Sequence, residues 1–150
     1  MRVELRRASP AHIGTIAARM RQADRVECEA WGATPKRALR SAFHASVIAA
    51  TAFVDGRAES MMGVVPVNAI EGVGRPWMLA TDRAFDCARA MLVLGPAIVE
   101  RLHERFSRLE NHVWAGNDRA IRMLRRWGFE LGDAAEQVGG VDFVPFWREI

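Results

Sequence analysis

Tyrosine is absent from this 150-residue chain, so no phenolic hydroxyl is available as a general acid. Lysine is nearly absent as well: Lys36 stands alone, and the formal charge of +3 comes almost wholly from arginine. An excess this small does not point to nucleic acid, and no specific nucleic-acid partner is expected. Only two cysteines occur, Cys28 and Cys87. They lie far apart, belong to no CxxC pair, and read as buried free thiols. No apolar run approaches the roughly 20 residues of a membrane-spanning helix. The longest, 90–99, carries Gly95 and Pro96 and is flanked by charges, so no membrane partner is expected. The N-terminus alternates apolar and charged residues, unlike a secretory signal, which predicts synthesis in the cytoplasm. His12, His44, His103 and His112 form no HxxxH pair and lie at no ligand spacing from a cysteine, so no metal site is expected. No serine sits in a GxSxG context.

Half of the residues are hydrophobic and 26% are charged, which with this length predicts one globular domain over residues 1–150. Alternation in 2–8 predicts a strand. Ser9 followed by Pro10 reads as a helix start, with Ile13, Ile16, Ala17 and Met20 at helical spacing to about Gln22. A second helix is expected over 24–31, stopped by Gly32, and a third from Thr34-Pro35 through Phe43. Strands 47–54 and 59–65 flank Asp55-Gly56, the strongest hairpin signal in the chain. A short strand is expected over 76–81, then helix over 82–108 with a break or kink at Gly95-Pro96. A strand over 109–115 precedes an amphipathic helix over 117–127, whose apolar stripe is Ala120, Ile121, Leu124 and Trp127. Strands 129–131 and 141–148 complete the order, the last preceded by a Gly139-Gly140 turn.

Asn117-Asp118-Arg119-Ala120, the helix behind it and the closing Gly128-Phe129 make a motif with legible physics. Asn117 can cap the helix, Ala120 permits close packing, and Gly128 allows a left-handed turn. With the element order, this motif resembles the GNAT N-acetyltransferases along nearly the whole chain. The resemblance implies an α/β (α+β) fold with a mixed, mostly antiparallel central sheet flanked by helices. A second resemblance is to small internal virion or assembly proteins of short-tailed bacteriophages and prophages. It is carried by 109–117, continuing through Ile121-Arg122 and Leu124 to Gly128, and more weakly by 76–82 and 143–146. That likeness implies phage or virion proteins as partners and packaging in a virion.

The GNAT resemblance implies acetyl-CoA as cofactor and three chemical requirements. The pyrophosphate is held by Gln/Arg-x-x-Gly-x-Gly/Ala at a helix N-terminus. The segment 82–96 lacks that pattern: Gly95 is its only glycine, and Pro96 removes an N–H donor. Arg83 and Arg89 are the candidates to neutralise phosphate charge, beside Asp82 and Asp86. A tyrosine acid is the second requirement, and the corresponding position is Leu124 on the apolar stripe. A carboxylate base is the third, with Glu59 and Asp82 as candidates. Asp82 also reads as a helix N-cap, and Glu59 as a solvated strand residue. Leu79, Thr81, Trp114 and Asn117 are where the pantetheine arm is expected.

Arg119, Arg122 and Arg126 share one helix face, readable as a phosphate contact or as a solvated face. Trp31 and Trp147 read as surface-groove or homo-oligomer contacts. Two functions follow. The missing glycine loop and tyrosine favour a phage or prophage protein that kept the scaffold as a non-catalytic or degenerate acetyltransferase homologue, acting in virion assembly. The alternative is an atypical acyl-CoA-dependent N-acetyltransferase acting on an amine. An open V-shaped split between the Trp77 and Leu109 strands, with free N–H groups at the helix start, would favour the enzyme; filling by side chains such as Phe85 or Met91 would oppose it.

Overall fold

The computed structural model describes all 150 residues. An eight-stranded sheet runs through the molecule. β1 (Val3–Arg7), β2 (Ile48–Val54), β3 (Arg57–Asn68) and β4 (Val73–Ala80) pair in sequence order, all antiparallel. β5 (Arg108–Trp114) lies parallel to β4, and β8 (Val141–Glu149) pairs antiparallel with β5. β6 (Glu130–Leu131) and β7 (Glu136–Val138) both pair with β8. The fold is thus the expected mixed α/β architecture, with one parallel pair in an otherwise antiparallel sheet.

Period-two alternation sorts the side chains onto the two faces. Phe53, Ala58 and Met61 meet Ile13 and Ile16 of α1 (Ile13–Ala18) and Leu39 of α3 (Pro35–Ala45) on one face. Val64, Leu109, Val113 and Phe146 meet Val99 and Leu102 of α5 (Ala88–His103) and Leu124 of α6 (Asp118–Arg126) on the other. Between them lie α2 (Gln22–Ala30) and the short α4 (Asp82–Asp86).

Three elements differ from the sequence expectation. The first long helix is divided: a 3-10 turn (Pro10–His12) precedes α1, and Met20 then bridges to Thr81 before α2 begins. β7 was not expected; its three residues are too few to show a pattern. The break in 82–108 falls at Cys87, and α5 continues through Gly95-Pro96. Pro96 is tolerated because it lies on the exposed face, where water reaches the carbonyl that lost its donor. Gly95 is there for space: a Cβ on it would sit 2.0 Å from the Trp127 ring. No helix is long and apolar enough to cross a membrane.

Candidate active site

β4 and β5 pair only at Val73–Arg108 and Gly74–Leu109, then diverge. Two bulky residues hold this junction: a Cβ on Gly74 would meet Phe106 and Val64 at 2.8 Å. Past the junction Asn111 spans the opening, donating from Nδ2 to the Pro76 carbonyl at 2.8 Å. Beyond it lies a cavity of about 570 Å³, walled by α2, α3, β4, β5 and α6. The open split is therefore present. Met91 is not in it but lies under α5 on the other face.

Strand alternation fixes which backbone groups face the split. The Thr81 N–H donates to the Glu59 carbonyl, so the N–H groups of Met78 and Ala80 point away from β3, toward β5. On the other wall, the Ala115 N–H donates to Asp142 on β8, which turns the Trp114 N–H inward.

Two carboxylates of α2 meet these groups. Asp24 Oδ2 accepts from the Ala80 N–H at 2.9 Å, while its Oδ1 accepts from Arg21 at 2.9 Å. Glu27 Oε2 accepts from the Trp114 N–H and from Asn117 Nδ2, both at 3.0 Å. Arg21 also donates to Asn117 Oδ1 at 3.1 Å, and its guanidinium lies 4.0 Å from the centroid of the Phe85 ring. The four polar side chains Arg21, Asp24, Glu27 and Asn117 thus tie α2 to both edges of the split. Phe85 forms part of the cavity wall with Arg21 stacked on it.

Burial is the largest influence on Asp24 and pushes its pKa up to about 7. The Arg21 charge opposes this, and the nearby Glu27 charge adds to it. Glu27 is also raised, by burial first, against the bonds from Asn117 and Trp114. A group raised in this way binds its proton more tightly folded than unfolded. Asp24 therefore contributes most to stability below about pH 4, near its ordinary value of 3.8, and that contribution is lost as pH climbs through about 7. A carboxylate poised there can accept a proton near neutral pH.

The residues singled out from sequence occupy varied places. Leu79 lines the cavity and packs toward α1 and α3. The Trp114 backbone and the Asn117 side chain belong to the polar cluster. Asn117 does not cap α6 with its side chain, because Arg21 and Glu27 hold both ends of its amide. Thr81 is turned to β3, where its hydroxyl donates to Glu59 at 2.5 Å. Glu59 is buried rather than solvated: 1% exposed, it also accepts from Arg19 at 2.6 Å and Arg57 at 2.8 Å. Burial opposes its charge, but the bonds from Thr81, Arg19 and Arg57 outweigh burial and hold its pKa below the ordinary 4.5. A carboxylate held charged in this way is a weak base. Asp82 is the first residue of α4, exposed, and Thr81 takes the cap position. Arg83 pairs with Asp55 at 3.0 Å, and Arg89 lies on the exposed face of α5. Arg119 reaches back to the carbonyl of Phe85, a residue of the cavity wall, at 2.8 Å, and Arg122 and Arg126 are exposed. Both cysteines are free and buried, and burial pushes Cys28 up to about 12, which makes it a poor nucleophile.

Arg21, Asp24 and Glu27 escaped the sequence reading. The only available signal was the spacing of two acids at i and i+3, which on a helix with few large apolar residues does not reveal which face is inward.

No protein-family model matches the chain, and no curated protein matches it by sequence. Solved structures do match its fold. An acetyltransferase of the GNAT family from Streptococcus pneumoniae superposes with a TM-score of 0.67 at 17% identity, covering 99% of both chains. The ribosomal-protein-alanine N-acetyltransferase of Brucella melitensis gives 0.68 at 17% identity, covering 98% of this chain and 99% of the other. Spermidine N-acetyltransferase from Vibrio cholerae, solved with CoA and spermine, gives 0.70 at 10% identity, covering 98% and 95%. The chain has the GNAT acetyltransferase fold.

Proposed function

We propose that the protein is an acyl-CoA-dependent N-acyltransferase that works without a tyrosine acid. The observation that carries this reading is the open split between β4 and β5, with a buried carboxylate of near-neutral pKa at its wall. The split fits the narrow pantetheine arm, because its walls combine apolar side chains with an inward backbone N–H at Met78. The start of α4 lacks a glycine cradle for the pyrophosphate, so that charge falls to arginine, with Arg119 exposed and bonded to Phe85 of the cavity wall. Acetyl-CoA, when bound, would supply an activated acyl group: its C–S bond is exchanged for a C–N bond, and CoA leaves as a thiolate that takes up the proton shed by the acylated nitrogen.

The chain's own residues have three tasks. Asp24 accepts the proton that an ammonium acceptor must lose before it is nucleophilic. Arg21 and the Ala80 N–H hold Asp24 in place. The Met78 N–H offers a fixed dipole to a carbonyl oxygen in the split. Proximity within a walled cavity then carries much of the rate.

A second reading is a non-catalytic protein of phage origin, acting in virion assembly. It is favoured by the occupation of the Ala80 and Trp114 N–H groups by Asp24 and Glu27, since a ligand in the split must compete with them. Thermal unfolding with and without millimolar acetyl-CoA and CoA separates the two. A ligand at a hundred times its Kd adds about 2.7 kcal/mol, which raises Tm by several degrees for a chain of this size. The acyltransferase predicts a saturable rise. An unchanged Tm with both ligands sinks it and leaves the assembly protein.

A further inference from the structure

Helix α5 is apolar around almost its whole circumference between Ala90 and Val99. Its inner face, with Met91, Leu94, Gly95 and Ile98, covers the sheet. Its outer face leaves Leu92 43% and Val93 69% exposed, with Pro96 and Ala97 exposed beside them. A helix hydrophobic on all sides is ordinarily buried on all sides. This stripe lies across the sheet from α1 and α3, on the face where the acyl-transfer proposal places no catalytic group.

The order of residues along the exposed face identifies the occupant. Arg89, Leu92, Val93, Pro96, Ala97 and Glu100 are all exposed, and they are arranged symmetrically about the point between Leu94 and Gly95. An antiparallel copy of the helix, related by a two-fold axis through that point, sets Arg89 against Glu100. It also sets Leu92 against Ala97 and Val93 against Pro96. Charges meet opposite charges at both ends, and the largest apolar side chain, Leu92, meets the smallest, Ala97, which suits ridges-into-grooves packing. Such self-complementarity is the property of an isologous interface. We infer that the stripe is the contact of a two-fold homodimer, in which α5 of one copy packs antiparallel against α5 of the other. Arg89 and Glu100 cannot satisfy each other within one chain, because eleven residues of helix separate them by about 16 Å.

Sedimentation velocity of the full chain across micromolar concentrations tests this. The wild type is expected to sediment as a species of twice the 16.7 kDa chain mass, dissociating on dilution. Val93→Glu is expected to weaken dimerisation at least tenfold while keeping the wild-type circular dichroism. Glu100→Arg alone is expected to weaken it through like charge across the axis. Arg89→Glu combined with Glu100→Arg is expected to restore it. A wild type that stays monomeric at the highest concentration overturns the inference. So does a dimer that survives Val93→Glu unchanged, or a double reversal that fails to restore what the single reversal lost.

Discussion

Replacing Arg21 by alanine is expected to destabilise the fold by about 3–5 kcal/mol, the usual cost of stranding one member of a buried ion pair. Arg21 is 6% and Asp24 4% exposed, so the abandoned carboxylate has little solvation to replace its partner. Asn117 loses a donor and Phe85 its stacked guanidinium in the same change. The size of the effect depends on pH. Removing the nearest positive charge raises the Asp24 pKa further, so the folded variant takes up a proton that the wild type holds less tightly. Protonation relieves the stranded charge, so the loss is expected to be smaller at pH 5 than at pH 8. Combining Arg21→Ala with Asp24→Asn is expected to recover part of the loss, because the uncompensated charge is gone. Urea unfolding of the three variants and the wild type at both pH values reads all of this. A loss below about 1 kcal/mol at pH 8 would mean that the cluster is not the buried pair described.

Leu109→Ala is expected to cost about 2–5 kcal/mol, and Leu124→Ala to fall toward the lower end of the same range. Leu109 is fully buried, at the point where β4 and β5 part, among Val64, Phe106, Val113 and Phe146. Truncation there leaves a closed void that its neighbours cannot fill, and lost contacts add to lost burial. Leu124 is 8% exposed and already borders the open cavity, so its removal widens a space that water reaches. The difference between the two variants in urea midpoint therefore reports whether the split is open. Equal losses would indicate that the cavity is closed in solution.

Much of the scaffold was legible because its devices are local. Asp55-Gly56 announces the hairpin between β2 and β3, and the stripe of Ala120, Leu124 and Trp127 announces α6. Gly128, at φ +87, ends that helix as its position implied. Gly95-Pro96 was misleading, since its meaning is set by a distant ring: Trp127 occupies the space a side chain would need. The site was less legible for the same reason. Glu59 looked solvated because an alternating strand does not say that Arg19, Arg57 and Thr81 will converge on one carboxylate. Asn117 looked like a cap because nothing within its own helix discloses Arg21, nearly a hundred positions earlier. The charged residues of α2 acquire their chemistry only when the helix is laid across the split.

The most direct test of the central claim is an amide NMR titration of the protein with acetyl-CoA. If the split is the acyl-CoA site, the shifts should concentrate on Met78, Ala80, Trp114 and Asn117, and should saturate together. The Arg21→Ala variant, with the cluster loosened, should show an altered affinity at the same residues. Shifts confined to other surfaces, or none at millimolar ligand, would contradict the account and leave the fold as a scaffold without that ligand.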